Sequence, residues 1–356
     1  MTEVKLAHLE ETAARREYLK RRPCLRQLFL ELTLRCNERC LHCGSSCGDV
    51  PCPEVSKEDY LRLLERVRRS FDGALPMLCV TGGEPLLRPD FFEIMEPARD
   101  MGFLWGMTTN ATLIDGAMAR RLSAAGMRTV SVSIDGLPET HDTIRNRKGA
   151  YAQSMRGIQA LIDQGGFQEI QVTTVVNHES IGELDALYEV MLGIDTDSWR
   201  LVAIEPIGRA LRHPELLLTQ EDHRRLLDFV KSKRLEQMPV TYGCCHYLGT
   251  EYEREVRDWF FMCQAGLTIA SVMSNGDIAA CLNIPRNHQT IQGSIYCDDF
   301  VEVWNHRYEM FRSSLANLND TCSACPHARF CDGGSRHSWD YDANKPLVCL
   351  RGAAFQ

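Results

Sequence analysis

Cys36, Cys40 and Cys43 stand in CNERCLHC with the spacing C-x3-C-x2-C, three soft donors within one short segment. Three thiolates so close together can wrap one face of an iron–sulfur cubane and leave its fourth iron without a protein thiolate. An open iron of that kind can take a small chelating ligand. The same cysteines could instead hold zinc, with His42 as a further ligand. The chain carries 16 cysteines in 356 residues, and its first thirty residues are charged throughout, without an apolar run and cleavage site. A reducing, cytoplasmic setting is therefore expected, where clustered cysteines hold metal more often than they pair.

Beyond the cysteines, the short segments TGGEP, TTN, SID and VVN carry small and polar residues at the ends of β-rich runs. The runs QLFLEL, PMLCV (76–80), LWGMTTN (104–110), TVSVSID (129–135), IQVTTVVN (170–177) and WRLVAIEP (199–206) alternate with helical segments, several ended by glycine. Six consecutive βα units imply parallel strands joined by right-handed crossovers. Periodicity does not give strand order, so a doubly wound sheet and an incomplete or complete barrel both fit. In either, the cysteine loop and the polar segments sit at the C-terminal strand ends, where active sites of parallel folds gather.

Thr219 and Asp222 mark the start of one more helix, and after about residue 240 the texture changes to short segments rich in Cys, Gly and Asn. The chain thus divides into an extension (1–28), a βα portion (29–235) and a smaller cysteine-rich unit (236–356). A net charge of -8 offers no basic footprint for nucleic acid, and runs such as ARREYLKRR read as solvated helix faces. No stretch reaches the length of a membrane span.

In CNERCLHC, TGGEPLLRPD, TTNATL, VSVSIDG with HDTIRNRKGAY, VTTVVN and IEPIGRA, the chain resembles the radical S-adenosylmethionine (radical SAM) enzymes over about residues 29–207. The resemblance implies a partial (β/α)6 barrel with a small cysteine-rich C-terminal domain. It makes Cys36, Cys40 and Cys43 ligands of a 4Fe-4S cluster whose open iron binds S-adenosylmethionine. Gly82, Gly83 and Glu84 would then hold the amino group of that ligand. Asn110, Ser133 and Asp135 would lie around its methionine and ribose portions, and Arg145 would face its carboxylate. His42 and Val175 would border adenine, with Gln171 and Thr173 on the same strand face. Reductive cleavage would yield a 5′-deoxyadenosyl radical able to take hydrogen from an unactivated carbon.

The tail resembles the SPASM extension of radical enzymes that modify peptides or proteins. Cys263-x12-Gly276-x4-Cys281 matches its opening pattern, and Cys322, Cys325 and Cys331 match its C-x2-C-x5-C, with Cys349 following. Two auxiliary iron–sulfur clusters are implied. Cys322, Cys325, Cys331 and Cys349 would hold one; Cys263 and Cys281, with Cys244 or Cys245, would hold the other. At that second site the family has a further cysteine where this chain has Ser335, leaving an open iron, Cys297, Asp332 or a smaller cluster as alternatives. Structural zinc also suits C-x2-C in isolation. Cys47 and Cys52 are expected near the mouth, as hydrogen donors, substrate contacts or plain packing.

These resemblances imply a peptide maturase that installs a thioether or carbon–carbon crosslink in a ribosomal precursor peptide. It would be served by a reductant such as flavodoxin or ferredoxin. Only 35 residues precede Cys36, so leader recognition is expected from a separate protein, the barrel or the tail. Formylglycine formation in sulfatases, peptide epimerisation, a small-molecule oxidoreductase or cofactor-biosynthesis role, and a non-catalytic electron-transfer protein are the alternatives.

Overall fold

A computed structural model describes residues 3–49, 51–243 and 245–355. Strands β1 (Gln27–Glu31), β2 (Met77–Thr81), β3 (Trp105–Thr109), β4 (Met127–Ser133), β5 (Glu169–Val176), β6 (Ser198–Ala203) and β7 (Val240–Tyr242) lie side by side in chain order, each parallel to the next. A doubly wound sheet reverses its order at a switch point. Among β1–β7 the order never reverses, so these strands form the opened barrel and not the doubly wound alternative. The short β7 extends the sheet by one strand beyond the six expected.

Helices α1 (Glu3–Arg21), α2 (Lys57–Ser70), α3 (Phe91–Asp100), α4 (Gly116–Ala124), α5 (Pro138–Ile144), α6 (Ala150–Gln164), α7 (Leu184–Leu192) and α8 (Gln220–Lys233) complete the framework. In α2 the buried residues are Tyr60, Leu63, Leu64 and Val67, a single helical stripe, and Ser56 caps its first turn by accepting the Asp59 N–H at 3.1 Å. Thr219 and Asp222 form the reciprocal capping box of α8. Each large apolar side chain buried in this way stabilises the fold by roughly 1.5–3 kcal/mol.

The strands are two-faced. Leu28, Leu30, Leu78, Val80, Val130, Val132, Val172, Trp199 and Leu201 are buried in the layer shared with the helices. The alternate residues point the other way: Cys79, Ser131, Ser133, Gln171, Thr173 and Arg200 lie on the inward face. That face is polar because it lines the barrel and does not form its core.

The sheet also continues into the tail. Strand β8 (Ile269–Val272) pairs parallel to the free edge of β1, with Leu28 opposite Ala270; β9 (Asp277–Ala279) and β10 (Gly293–Ser294) follow antiparallel. Hydrogen-bonded sheet therefore runs past both limits of 29–235, from Gln27 to Tyr242, and takes in part of 236–356.

The run ARREYLKRR lies at the end of α1 and is not a solvated face throughout. Arg16 is 5% exposed; it donates to the carbonyls of Phe330 and Arg329 at 2.9 and 2.5 Å and pairs with Asp332 at 3.5 Å. Lys20 pairs with the same carboxylate at 3.2 Å. This helix is thus tied to the tail beside Cys331. No helix among the described residues is long and apolar enough to cross a membrane.

Candidate functional site

The loop after β1 carries Cys36, Cys40 and Cys43, and the turn after β2 is laid directly against it. Gly83 N–H donates to the Thr33 carbonyl at 2.7 Å and Glu84 N–H to that of Arg35 at 2.9 Å. A Cβ on Gly83 would stand 2.1 Å from the Arg35 carbonyl oxygen, and one on Gly82 2.3 Å from that of Thr33. Only glycine permits this approach. The close contact expected of these glycines is therefore made first with the cysteine loop itself.

From the far side, Arg209 clamps the loop. Its side chain donates to the carbonyls of Cys40 at 2.8 Å and Cys47 at 2.9 Å, and its backbone N–H to that of Cys43 at 3.0 Å. Gly208, at φ +56°, stands where a Cβ would lie 2.3 Å from the Cys43 carbonyl oxygen. IEPIGRA was legible as a motif, but the clamp that it supplies was not assigned from the sequence.

Burial pushes the Cys36 thiol up to about 11 and that of Cys40 up to about 12. Cys43, hydrogen-bonded by Cys47, is brought down to about 6. Cys47 is 2% exposed and its thiol donates to the Gly82 carbonyl at 3.4 Å, a packing contact between the two motifs. Cys52 is half-buried, 3.5 Å from the Ser274 hydroxyl.

Behind the cysteines lies a buried charge network. Arg145 pairs with Asp135 at 2.6 Å and with Glu38 at 3.5 Å, and its guanidinium lies 3.6 Å from the Cys40 sulfur. Burial is the strongest single influence on Asp135 and acts to raise it, but Arg145, His42, His141 and the Val175 N–H together outweigh it and hold the carboxyl below its usual range. Burial prevails at Glu38, which is raised despite Arg145 and Arg147. The second Asp135 oxygen accepts the Val175 N–H at 2.9 Å, and His42 lies 3.4 Å from the first. Burial drives His42 down to about 4, so its ring is neutral, and its Nδ1 has no hydrogen-bond partner among the described residues.

Glu84 is different in kind. Fully buried, it accepts from Thr109 Oγ1 and Asn110 N–H at 2.9 Å and from Leu86 N–H at 3.3 Å, with no cation paired to it among the described residues. Burial raises its carboxyl to about 7. Asn110 donates to Asn37 at 2.8 Å, while Ser133 is half-buried at the end of β4. Thr173 and Gln171 face inward, bonded to the hydroxyls of Ser131 at 2.7 Å and Ser198 at 3.0 Å. Glu38, His141 (accepting the Asp135 N–H at 3.0 Å) and Arg209 belong to the same constellation and were not singled out from the sequence.

In the tail, Cys322, Cys325, Cys331 and Cys349 line one cavity of about 340 Å³. Burial pushes Cys331 up to about 12, and the other three thiols act on it electrostatically. Cys263 accepts the Arg336 N–H at 3.4 Å and, with Cys281, acts electrostatically on Tyr341, whose hydroxyl is pushed up chiefly by burial. Cys244 lies outside the described residues. Asp332 is paired with Arg16, Lys20 and Arg336, and Cys297 is exposed in the turn after β10.

The donor sets fit the groups implied: one buried and two half-buried thiols on one loop for a cluster, a buried carboxylate that no cation meets among the described residues for an amino-bearing ligand, and four thiols around one cavity for a second cluster.

The family model of the radical SAM superfamily matches residues 30–191, and that of the SPASM iron–sulfur cluster-binding domain matches 263–326. An AdoMet-dependent heme synthase of Methanosarcina barkeri is 29% identical over 92% of this chain and 97% of its own length. A mycofactocin maturase of Mycolicibacterium smegmatis is 27% identical over 86% of this chain and 77% of its own. Streptococcus suis SuiB, solved with S-adenosylmethionine, shares the fold at a TM-score of 0.69 and 19% identity, over 88% of this chain and 73% of that one. The cofactors are accordingly S-adenosylmethionine, a 4Fe-4S cluster and auxiliary iron–sulfur in the tail. The chain belongs to the radical SAM superfamily, as an enzyme with a C-terminal SPASM domain.

Proposed function

We propose that Cys36, Cys40 and Cys43 hold the cluster of the barrel and that S-adenosylmethionine lies along Gly82–Glu84, its amino group donating to Glu84. When bound, these groups supply a 5′-deoxyadenosyl radical that removes hydrogen from an unactivated carbon. Asn110, Ser133, Val175 and His42 border the ligand. Arg145, committed to Asp135 and Glu38, orients Asp135 in preference to meeting the ligand carboxylate. Gln171 and Thr173 lie deeper, on the inward face. The auxiliary cluster of the cavity takes Cys322, Cys325, Cys331 and Cys349.

Glu84 makes the ligand assignment testable by pH. Below its value of about 7 the carboxyl is protonated and attracts no cation; above it the carboxylate is ionised. Affinity for S-adenosylmethionine, measured anaerobically by calorimetry, should therefore rise through pH 7 in the native enzyme relative to Glu84→Gln. At high pH the variant should bind about 10- to 100-fold more weakly, the worth of one charged hydrogen bond. Equal pH slopes in the two proteins would remove Glu84 from the ligand.

We further propose a carboxylate-bearing small molecule of the tetrapyrrole class as substrate. The observation that carries this reading is Arg200. It lies on the inward face, held by the hydroxyls of Thr173 at 3.2 Å and Ser131 at 3.4 Å, with no carboxylate paired to it among the described residues. The near full-length match to a heme synthase supports the same class. Fe-coproporphyrin III, added to the cluster-loaded and reduced enzyme, should stimulate 5′-deoxyadenosine formation and itself change mass. Arg200→Met should lose about 10- to 100-fold of that stimulation, as expected for one charge-assisted contact, while substrate-free cleavage stays near native. Failure of carboxylated tetrapyrroles to stimulate, or indifference to Arg200→Met, would overturn the reading.

The match to a mycofactocin maturase favours a second reading, crosslinking of a precursor peptide with an external reductant and a separate leader-binding protein. Peptide-dependent 5′-deoxyadenosine formation, with tetrapyrroles inert, would select it.

A further inference from the structure

The family pattern has a cysteine at the position of Ser335. In this fold that side chain is turned away from ligand duty: Ser335 is 3% exposed and its hydroxyl donates to the Cys245 carbonyl. Two residues on, the chain supplies a different donor. A ring nitrogen of His337, the Cys245 sulfur and a Glu205 carboxylate oxygen lie within 4.8 Å of one another. The remaining thiols belong to the same region: Cys263 accepts the Arg336 N–H, and Cys263 and Cys281 both lie near enough to act electrostatically on Tyr341, whose hydroxyl donates to the Arg336 carbonyl at 2.9 Å. Residues 335–341 thus run beside Cys245 and Cys263, within electrostatic reach of Cys281, and carry an imidazole.

We infer that the first auxiliary site of the tail is a mixed-ligand iron–sulfur centre, with thiolates from Cys245, Cys263 and Cys281 and an imidazole from His337 in place of the absent fourth cysteine. Imidazole is a good iron ligand, whereas a serine hydroxyl is a poor substitute for thiolate. Glu205 is the positioning residue. It is anchored by the Ser338 hydroxyl at 2.8 Å and paired with His246 at 3.0 Å, and it stands 4.0 Å from His337 Nε2. At 4.0 Å the carboxylate acts on the imidazole through charge and not through a hydrogen bond, raising its basicity. A neutral imidazole also leaves the centre one negative charge lighter than four thiolates would, which raises its reduction potential. Glu205 comes from the end of β6, so the centre joins the barrel mouth to the tail. The assignment is independent of the substrate.

The test uses the full chain labelled with 14N- or 15N-histidine, reconstituted without oxygen and reduced in the absence of S-adenosylmethionine, whose amino nitrogen would otherwise contribute. Pulsed EPR should show a strong imidazole nitrogen coupling that changes with the isotope and disappears in His337→Ala. The variant His337→Cys should hold the iron that His337→Ala loses, with no nitrogen coupling and a more negative potential than native for one cluster. Absence of histidine coupling in the native protein overturns the inference even if His337→Ala fails to fold. So does a coupling that persists unchanged in a folded His337→Ala, or a single zinc ion in place of the cluster.

Discussion

Replacing Cys36, Cys40 and Cys43 together by alanine should reduce 5′-deoxyadenosine formation to background, a loss of at least about a thousandfold, or about 4 kcal/mol of activation free energy. The loss is this large because the three sulfurs act as one unit, and among the described residues no other cysteine group lies beside Glu84. The loop itself should survive, since Arg209 holds it through the carbonyls of Cys40, Cys43 and Cys47, not through side chains. Iron analysis should show the loss of one cluster and retention of iron in the tail, whose cysteines line a separate cavity. Product formation by the iron-loaded triple variant at more than a small fraction of the native rate would refute the ligand assignment.

Arg145→Met should be the most destabilising single change at the site. Arg145 is the cation shared by Asp135 and Glu38, both buried, and its removal leaves two carboxylates without adequate compensation. Breaking a buried pair in this way costs about 3–5 kcal/mol. The sign of the pH dependence follows from Asp135, whose carboxyl is held below its usual range in the folded chain. That stabilisation is present above the unfolded value of about 3.9 and is lost as pH falls through the folded value. In the variant Asp135 no longer gains from ionising and Glu38 is opposed more strongly by burial, so the deficit against native should be greatest near neutral pH and shrink towards pH 4. Urea midpoints of both proteins, cluster-free and anaerobic, read this directly. A deficit independent of pH would mean that Arg145 acts by packing alone. The variant Asp135→Asn/Arg145→Met should recover part of the loss.

Local signals were legible wherever chemistry follows chain spacing. The interval between Cys36, Cys40 and Cys43 marks them as one ligand set, and the stripe Tyr60, Leu63, Leu64, Val67 marks the buried face of α2. The capping residues Thr219 and Asp222 likewise declare the start of α8. Less local features were not legible. β7 has three residues, too few for a period, and β8 joins β1 across some two hundred and forty residues of chain. Arg16 sits in a run of charges like its neighbours, and only its docking against Phe330 and Asp332 distinguishes it. Glu38 reads as an ordinary polar residue of the loop until Arg145 and Arg147 are brought to it.

By itself, the sequence determined the kinds of element, their alternation, the thiol sets at Cys36–Cys43 and Cys322–Cys331, and the glycine turn before Glu84. These depend on residues that are near neighbours in the chain, whose relative geometry is limited by backbone dihedrals and periodicity. Only the tertiary structure decided that the strands are wound in one sense, that Arg145 is spent on Asp135 and Glu38, that Cys47 packs on Gly82, and that Glu205, Cys245 and His337 meet. Those outcomes depend on which distant segments share a buried volume. There an unpaired charge or donor is costly enough to select its partner, and nothing in the spacing of the chain records that choice.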